Sequence, residues 1–382
     1  MTVHRVVSKN LFNYAPKGEM DEDIKKSMLY INFLNVLKMS AGVIMYLTHS
    51  FINRFIYKLD YKIPGQKGIE AALLISKGTI LNKDEYFVKG FRILCNFGLR
   101  SMLSHPVYDK AVLECDHSEV KVPTSHLGDY EVPVLVHTPK ELASSNARPA
   151  IIYAHGGGVV GCSASTHKPY LSKLALKCKS VIFNVDYRRA PEARCPNNVL
   201  DFYETLKYVI DHANDLRIDI SKIAISGESG GGYICLGTMV ILSQRNESRL
   251  VKLAMPIIPM VDDDSFQKEN TFGVINMMMR WVWRLIATDF EQQKNSPLLF
   301  PGKSSDQILE NMPPTIIWEA EYDIFKTEAT RLANKLKSAG RLLEFVVFPG
   351  QRHGSWMNPR YKCHEPNFDA FALAVEKYLI EY

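Results

Sequence analysis

From residue 111 onward, apolar runs of strand length alternate with segments of helical period, a rhythm that the first 110 residues lack. Two early runs, "AVLECDHSEVKV" (111–122) and "YEVPVLVHTP" (130–139), alternate polar and apolar side chains, as half-exposed antiparallel strands do. Six later runs, at 149–155, 180–187, 222–228, 253–260, 314–321 and 343–350, are short and continuously apolar. Such runs belong to strands buried on both faces of a parallel sheet. Helix-length segments at 167–179, 197–214, 231–246 and 327–340 separate them, and an amphipathic 367–382 closes the chain. Repetition of strand, helix and strand predicts an α/β fold, an eight-stranded and mostly parallel sheet flanked by helices.

Two stretches break the pattern. Residues 1–110 read as a mainly helical N-terminal cap region. Within the core of 111–382, residues 262–313 interrupt the alternation with "TFGVINMMMRWVWRLIATDF" and a proline-bearing loop, and read as a cap insertion.

The front region also carries the charge asymmetry. Residues 1–110 hold 16 Lys/Arg against 9 Asp/Glu, whereas residues 111–382 hold 30 against 32, so a net charge of +5 conceals a basic front. That excess is too mild to imply a nucleic-acid partner. The apolar stretch 28–57 is interrupted by Lys38, His49 and Arg54, and its longest uncharged part, from Met39 to Asn53, is shorter than the roughly 20 residues a spanning helix needs. An interfacial or buried amphipathic helix is the expectation, with peripheral contact to anionic membranes as its consequence. The first 27 residues are polar and show no cleavable signal pattern. Seven scattered cysteines without CxxC spacing read as reduced thiols of a cytoplasmic protein, neither a zinc site nor a disulfide frame.

The candidate chemistry lies at strand ends. "GESGG", residues 227–231, follows a predicted strand and opens a predicted helix, the setting in which a serine stands exposed on a strained turn with small neighbours. A serine hydroxyl is a poor nucleophile unless a base touches it, a third group orients that base, and donors await the oxyanion. "HGGG" at 155–158 supplies unshielded backbone N–H groups after an earlier strand, "FPGQRHGSW" supplies His353 after the last strand, and "WEAEYDIF" supplies Asp323 after the one before. Glu321 is the competing orienter, ranked second because it lies inside the strand. The chain order Ser229, Asp323, His353 is that of an α/β-hydrolase fold.

Together with "DYRRAPE" at 186–192, "CPNNVLD" after it and "SPLL" at 296, these motifs resemble the hormone-sensitive-lipase-like family of α/β hydrolases, which includes carboxylesterases and the arylacetamide deacetylase group. The resemblance implies the α/β-hydrolase fold with a helical cap, Ser229 as nucleophile, His353 as general base and acid, and Asp323 as the carboxylate fixing the imidazole. It places the oxyanion donors on the backbone N–H groups of Gly157, Gly158 and Gly230, the last standing where the family usually has alanine, with extra flexibility as the expected cost. It implies a small-molecule ester substrate and neither cofactor nor metal. Asp186, Tyr187 and Arg188 read as structural, a charged pair pinning a turn.

Val159, Met278, Trp281 and Trp356 are candidates for a greasy substrate pocket, and the methionine and tryptophan stripe around 277–283 reads equally well as cap core. Pocket residues decide between ester and amide substrates, and the sequence leaves that choice open. A silent small-molecule binder on the same scaffold is the remaining alternative.

Overall fold

The computed structural model describes residues 83–126, 128, 130–264 and 273–381. The expected helical region over residues 1–82, its apolar stretch 28–57, and residues 265–272 of the cap insertion lie outside the described residues. Helix α1 (Lys83–Leu103) contains the boundary between two compact units, and the sheet with its flanking helices belongs to the unit that holds residues 95–382.

Eight strands form one sheet: β1 (Cys115–Pro123), β2 (Glu131–Pro139), β3 (Arg148–Ala154), β4 (Val181–Val185), β5 (Ile218–Glu228), β6 (Leu253–Ile257), β7 (Thr315–Ala320) and β8 (Leu342–Phe348). Their spatial order is β1-β2-β4-β3-β5-β6-β7-β8. The pairs β1–β2 and β2–β4 are antiparallel and every other neighbour is parallel, as the polar alternation of the first two runs requires. Strands β4, β6 and β7 are buried at every residue.

Helices follow the later strands: α3 (Ala164–Cys178), α4 (Asn197–Asp211), α5 (Gly230–Gln244), α9 (Lys326–Ser338) and α10 (His364–Val375), with α6 (Gly273–Ile286), α7 (Phe290–Gln293) and α8 (Asp306–Glu310) between β6 and β7. Ser163 starts α3 with a reciprocal capping box to Thr166, and Lys179 ends it in the left-handed region. One core joins Tyr170, Leu171 and Leu174 of α3 and Phe368 and Phe371 of α10 to Ile151, Tyr153, Met255 and Trp318 of the sheet.

Two boundaries differ from expectation. Residues 111–113 do not begin β1 but end α2 (Pro106–Leu113), because Pro106 presets the first turn, His105 accepts from the Val107 N–H, and Tyr108 and Ala111 recur on the buried side. β5 starts at Ile218, where a pairing with Arg148 extends it. Among the described residues no helix is long and apolar enough to cross a membrane.

Strand order fixes where a ligand can bind. From β3 the chain goes to β4 on one side and then to β5 on the other, so the loops leaving β3 and β5 part in opposite directions and open a crevice at their C-terminal ends. The register sets Ala154 beside Gly227, which brings the "HGGG" loop against the Ser229 turn.

Candidate active site

Ser229 is the single residue between β5 and α5, with φ 57° and ψ −117°. A non-glycine residue is strained there by about 1–3 kcal/mol. Crowding explains the flanking glycines: a Cβ on Gly227 would lie 2.5 Å from the Gly231 carbonyl oxygen, and one on Gly231 would overlap the Ala154 carbonyl. The turn is held from below, as the Ser229 N–H donates to the Ile257 carbonyl at 2.9 Å and its own carbonyl accepts from Tyr233 and Met260. The Ser229 side chain does not cap α5, which leaves its hydroxyl available.

That hydroxyl lies 2.9 Å from Nε2 of His353. The other imidazole nitrogen, Nδ1, lies 2.8 and 3.0 Å from the two oxygens of Asp323. A carboxylate accepts, so Nδ1 carries the proton and Nε2 presents its lone pair to Ser229. The Asp323 side chain is fully buried while that of His353 is 32% exposed. Burial disfavours the imidazolium, but the Asp323 carboxylate together with the Glu228 charge outweighs it and raises the pKa of His353 above the ordinary imidazole value.

The two loops that carry this pair are joined by their backbones. Glu321 N–H donates to Phe348, Tyr322 N–H donates to Gln351, and the Gly350 N–H donates to the Glu321 carboxylate at 2.7 Å. Glu321, the competing orienter, thus holds the histidine loop, and Asp323 holds the histidine.

The oxyanion candidates gather next to the serine. Gly157 and Gly158 have φ of 111° and 62°, values that suit glycine, and Val159 follows at φ 63°. A Cβ on Gly230 would come within 2.5 Å of the Val159 nitrogen and 2.8 Å of the Gly158 nitrogen, so the loop is seated directly on residue 230. The N–H groups of Gly157, Gly158 and Gly230 have no protein acceptor among the described residues.

Glu228 underlies this loop, a role the sequence allowed without specifying. It is buried, accepts the Gly156 N–H and the Tyr153 hydroxyl, and lies 2.7 Å from Nε2 of His167. Burial opposes both charges, yet each partner outweighs it: His167 is raised and Glu228 lowered, so the two form a buried ion pair. Sequence reasoning missed His167, because a histidine in a helix carries no periodic signal and its partner lies on another strand. Arg188 forks onto Asp201, while Asp186 accepts from Ala164 and Arg189. The expected pair between Asp186 and Arg188 does not form: Arg188 is taken by Asp201, and Asp186 pairs with Arg189 one residue further on.

The pocket candidates scatter. Val159 is fully buried. Met278 and Trp281 are half-buried on α6, whose inner face packs Trp283 edge-on to Tyr233 and Phe300. Trp356 is 3% exposed and packs among Tyr170, Phe368 and Phe371, in the core. Among the described residues no group of three or more His, Cys, Asp or Glu is arranged to hold a metal ion.

Comparison with known proteins gives the fold and the family. Residues 151–357 match the model of a family described as alpha/beta hydrolase fold. The chain is 29% identical over 258 residues to an arylesterase of Saccharolobus solfataricus, covering 66% of this chain and 81% of that one. It is 27% identical over 233 residues to a carboxylesterase of Mycobacterium tuberculosis, covering 59% and 71%. Among solved structures, a thermostable carboxylesterase from a metagenomic library superposes with a TM-score of 0.66 at 28% identity, over 76% of this chain and 97% of the other. The chain belongs to the alpha/beta hydrolase fold family and, within it, to the hormone-sensitive-lipase-like carboxylesterases, serine hydrolases of carboxylic esters.

Proposed function

We propose that Ser229, His353 and Asp323 cleave esters of small to medium, apolar acyl or aryl groups. The observation that carries this reading is the 2.9 Å contact between the Ser229 hydroxyl and a histidine nitrogen whose opposite nitrogen is bound to a buried carboxylate. Ser229 Oγ attacks the ester carbonyl carbon as its proton passes to His353 Nε2, and the carbonyl electrons move onto an oxyanion held by the N–H groups of Gly157, Gly158 and Gly230. His353 returns the proton to the leaving alcohol as the ester C–O bond breaks. Water then repeats the sequence on the acyl-enzyme, releasing the acid and restoring the serine. Met278 and Trp281 supply the apolar wall, in keeping with the aryl substrates that the name of the archaeal relative records.

The test is hydrolysis of p-nitrophenyl esters from acetate to palmitate by the wild type and Ser229→Ala. Turnover is expected to peak at short chains and to fall at least about 10³-fold in the variant. Absence of turnover on every chain length by folded wild type, or full turnover by the variant, contradicts the assignment.

We also propose that the protein acts in the cytoplasm and touches anionic membrane surfaces through its basic, apolar front. Liposome flotation with and without residues 1–60 should lose partitioning in the shortened chain, and equal partitioning rejects the contact.

A further inference from the structure

Behind Asp323 lies a second carboxyl group that the reaction above does not use. Glu319, on β7, is fully buried. Its Oε1 accepts the Ala320 N–H at 2.9 Å, whereas Oε2 has no donor among the described residues. The turn that follows β7 folds back on it, with the Asp323 N–H donating to the Ala320 carbonyl, and its Asp323 carboxylate, fully buried and already accepting from His353 and from the Phe325 N–H, acts directly on the Glu319 carboxyl. Two bare carboxylates in contact inside a protein repel, and neither can donate. A proton on Glu319 removes the repulsion and turns an orphaned acceptor into a donor.

We propose that Glu319 is a positioning residue of this site: a carboxylic acid kept neutral, whose hydroxyl donates to Asp323 and thereby fixes the carboxylate that holds His353. This rests on Asp323 being the carboxylate of the catalytic group. The surroundings favour the neutral form. Burial, first, and the Asp323 charge, second, push the Glu319 carboxyl well above the usual carboxylate range. Strand β6 offers no titratable side chain, and β8 places Val347 opposite Glu319. On α9, Lys326 is nearby but is engaged by the Glu321 carbonyl, Arg331 is held by Asp262, and Glu328 adds only another buried acid.

The consequence reaches the base. A hydrogen bond donated to Asp323 draws charge from it and weakens its hold on the imidazolium proton, while the Glu228 charge acts on His353 independently. Removing the donor strengthens that hold, so a higher pH is needed to free His353.

The experiment compares the acid limb of kcat/KM in Glu319→Gln, Glu319→Met and Asp323→Asn, with active sites counted by fluorophosphonate. Gln is neutral, isosteric and still donates, so its limb should coincide with the wild type. Met removes the donor, and its limb should move to higher pH by about half a unit to one unit with kcat several-fold lower. Infrared difference spectra of wild type against Glu319→Gln at neutral pH should show the carbonyl stretch of a protonated acid. A limb that moves to lower pH in Gln means an ionised Glu319 and overturns the proposal. So does an unmoved limb in Met, or an infrared difference lacking the protonated acid. Full activity in Asp323→Asn would instead remove the reading on which the proposal stands.

Discussion

A methyl group on residue 230 has nowhere to go. The residue that follows the nucleophile was expected to loosen the oxyanion hole, since glycine is more flexible than the alanine its family usually carries, but the geometry gives a different reason for it. The backbone nitrogens of Gly158 and Val159 occupy the space a Cβ would take. Gly230→Ala should therefore push the glycine loop off the serine and misalign its donors. Loss of one such donor costs about 10²–10³ in kcat, and displacement of the loop is expected to lower kcat at least tenfold with KM little changed. Steady-state kinetics on p-nitrophenyl acetate decide it, and an alanine variant with wild-type kcat contradicts the packing argument.

Elements meet at Glu228 and His167, where the end of β5 and the first turns of α3 are joined under the oxyanion loop by a buried ion pair. Breaking such a pair by removing one partner costs on the order of 3–5 kcal/mol if the other stays charged. His167 can instead lose its proton, and that makes the cost depend on pH. Its raised pKa means that its share of the stability is complete below the unfolded value near 6.5 and is lost as pH rises through the folded value. The lowered pKa of Glu228 makes its share present above the unfolded value near 4.3 and lost as pH falls through the folded value. Glu228→Gln should accordingly lower Tm most near pH 6 and less at pH 9. Calorimetry at both values tests this, and an equal loss at the two contradicts the charged pair.

At the scale of the whole molecule, the sheet was legible because burial on both faces forces continuous apolar runs, and the polar alternation of β1 and β2 marked the antiparallel edge. Ser229, Asp323 and His353 were legible for a related reason: each stands at a strand end, among residues that only a tight turn requires. Glu319 and His167 were not, since a polar residue inside a strand or helix looks the same whether it faces solvent or a partner. The helix ending at Leu113 was missed because its apolar residues continue without a break into β1. A serine made nucleophilic by a histidine brought from the far end of the chain should be labelled by a fluorophosphonate, and peptide mapping of protein that is turning over p-nitrophenyl acetate locates the label. One adduct is expected, on Ser229, forming in step with loss of turnover and absent in Ser229→Ala. An adduct elsewhere, or turnover that survives complete labelling of Ser229, would contradict it.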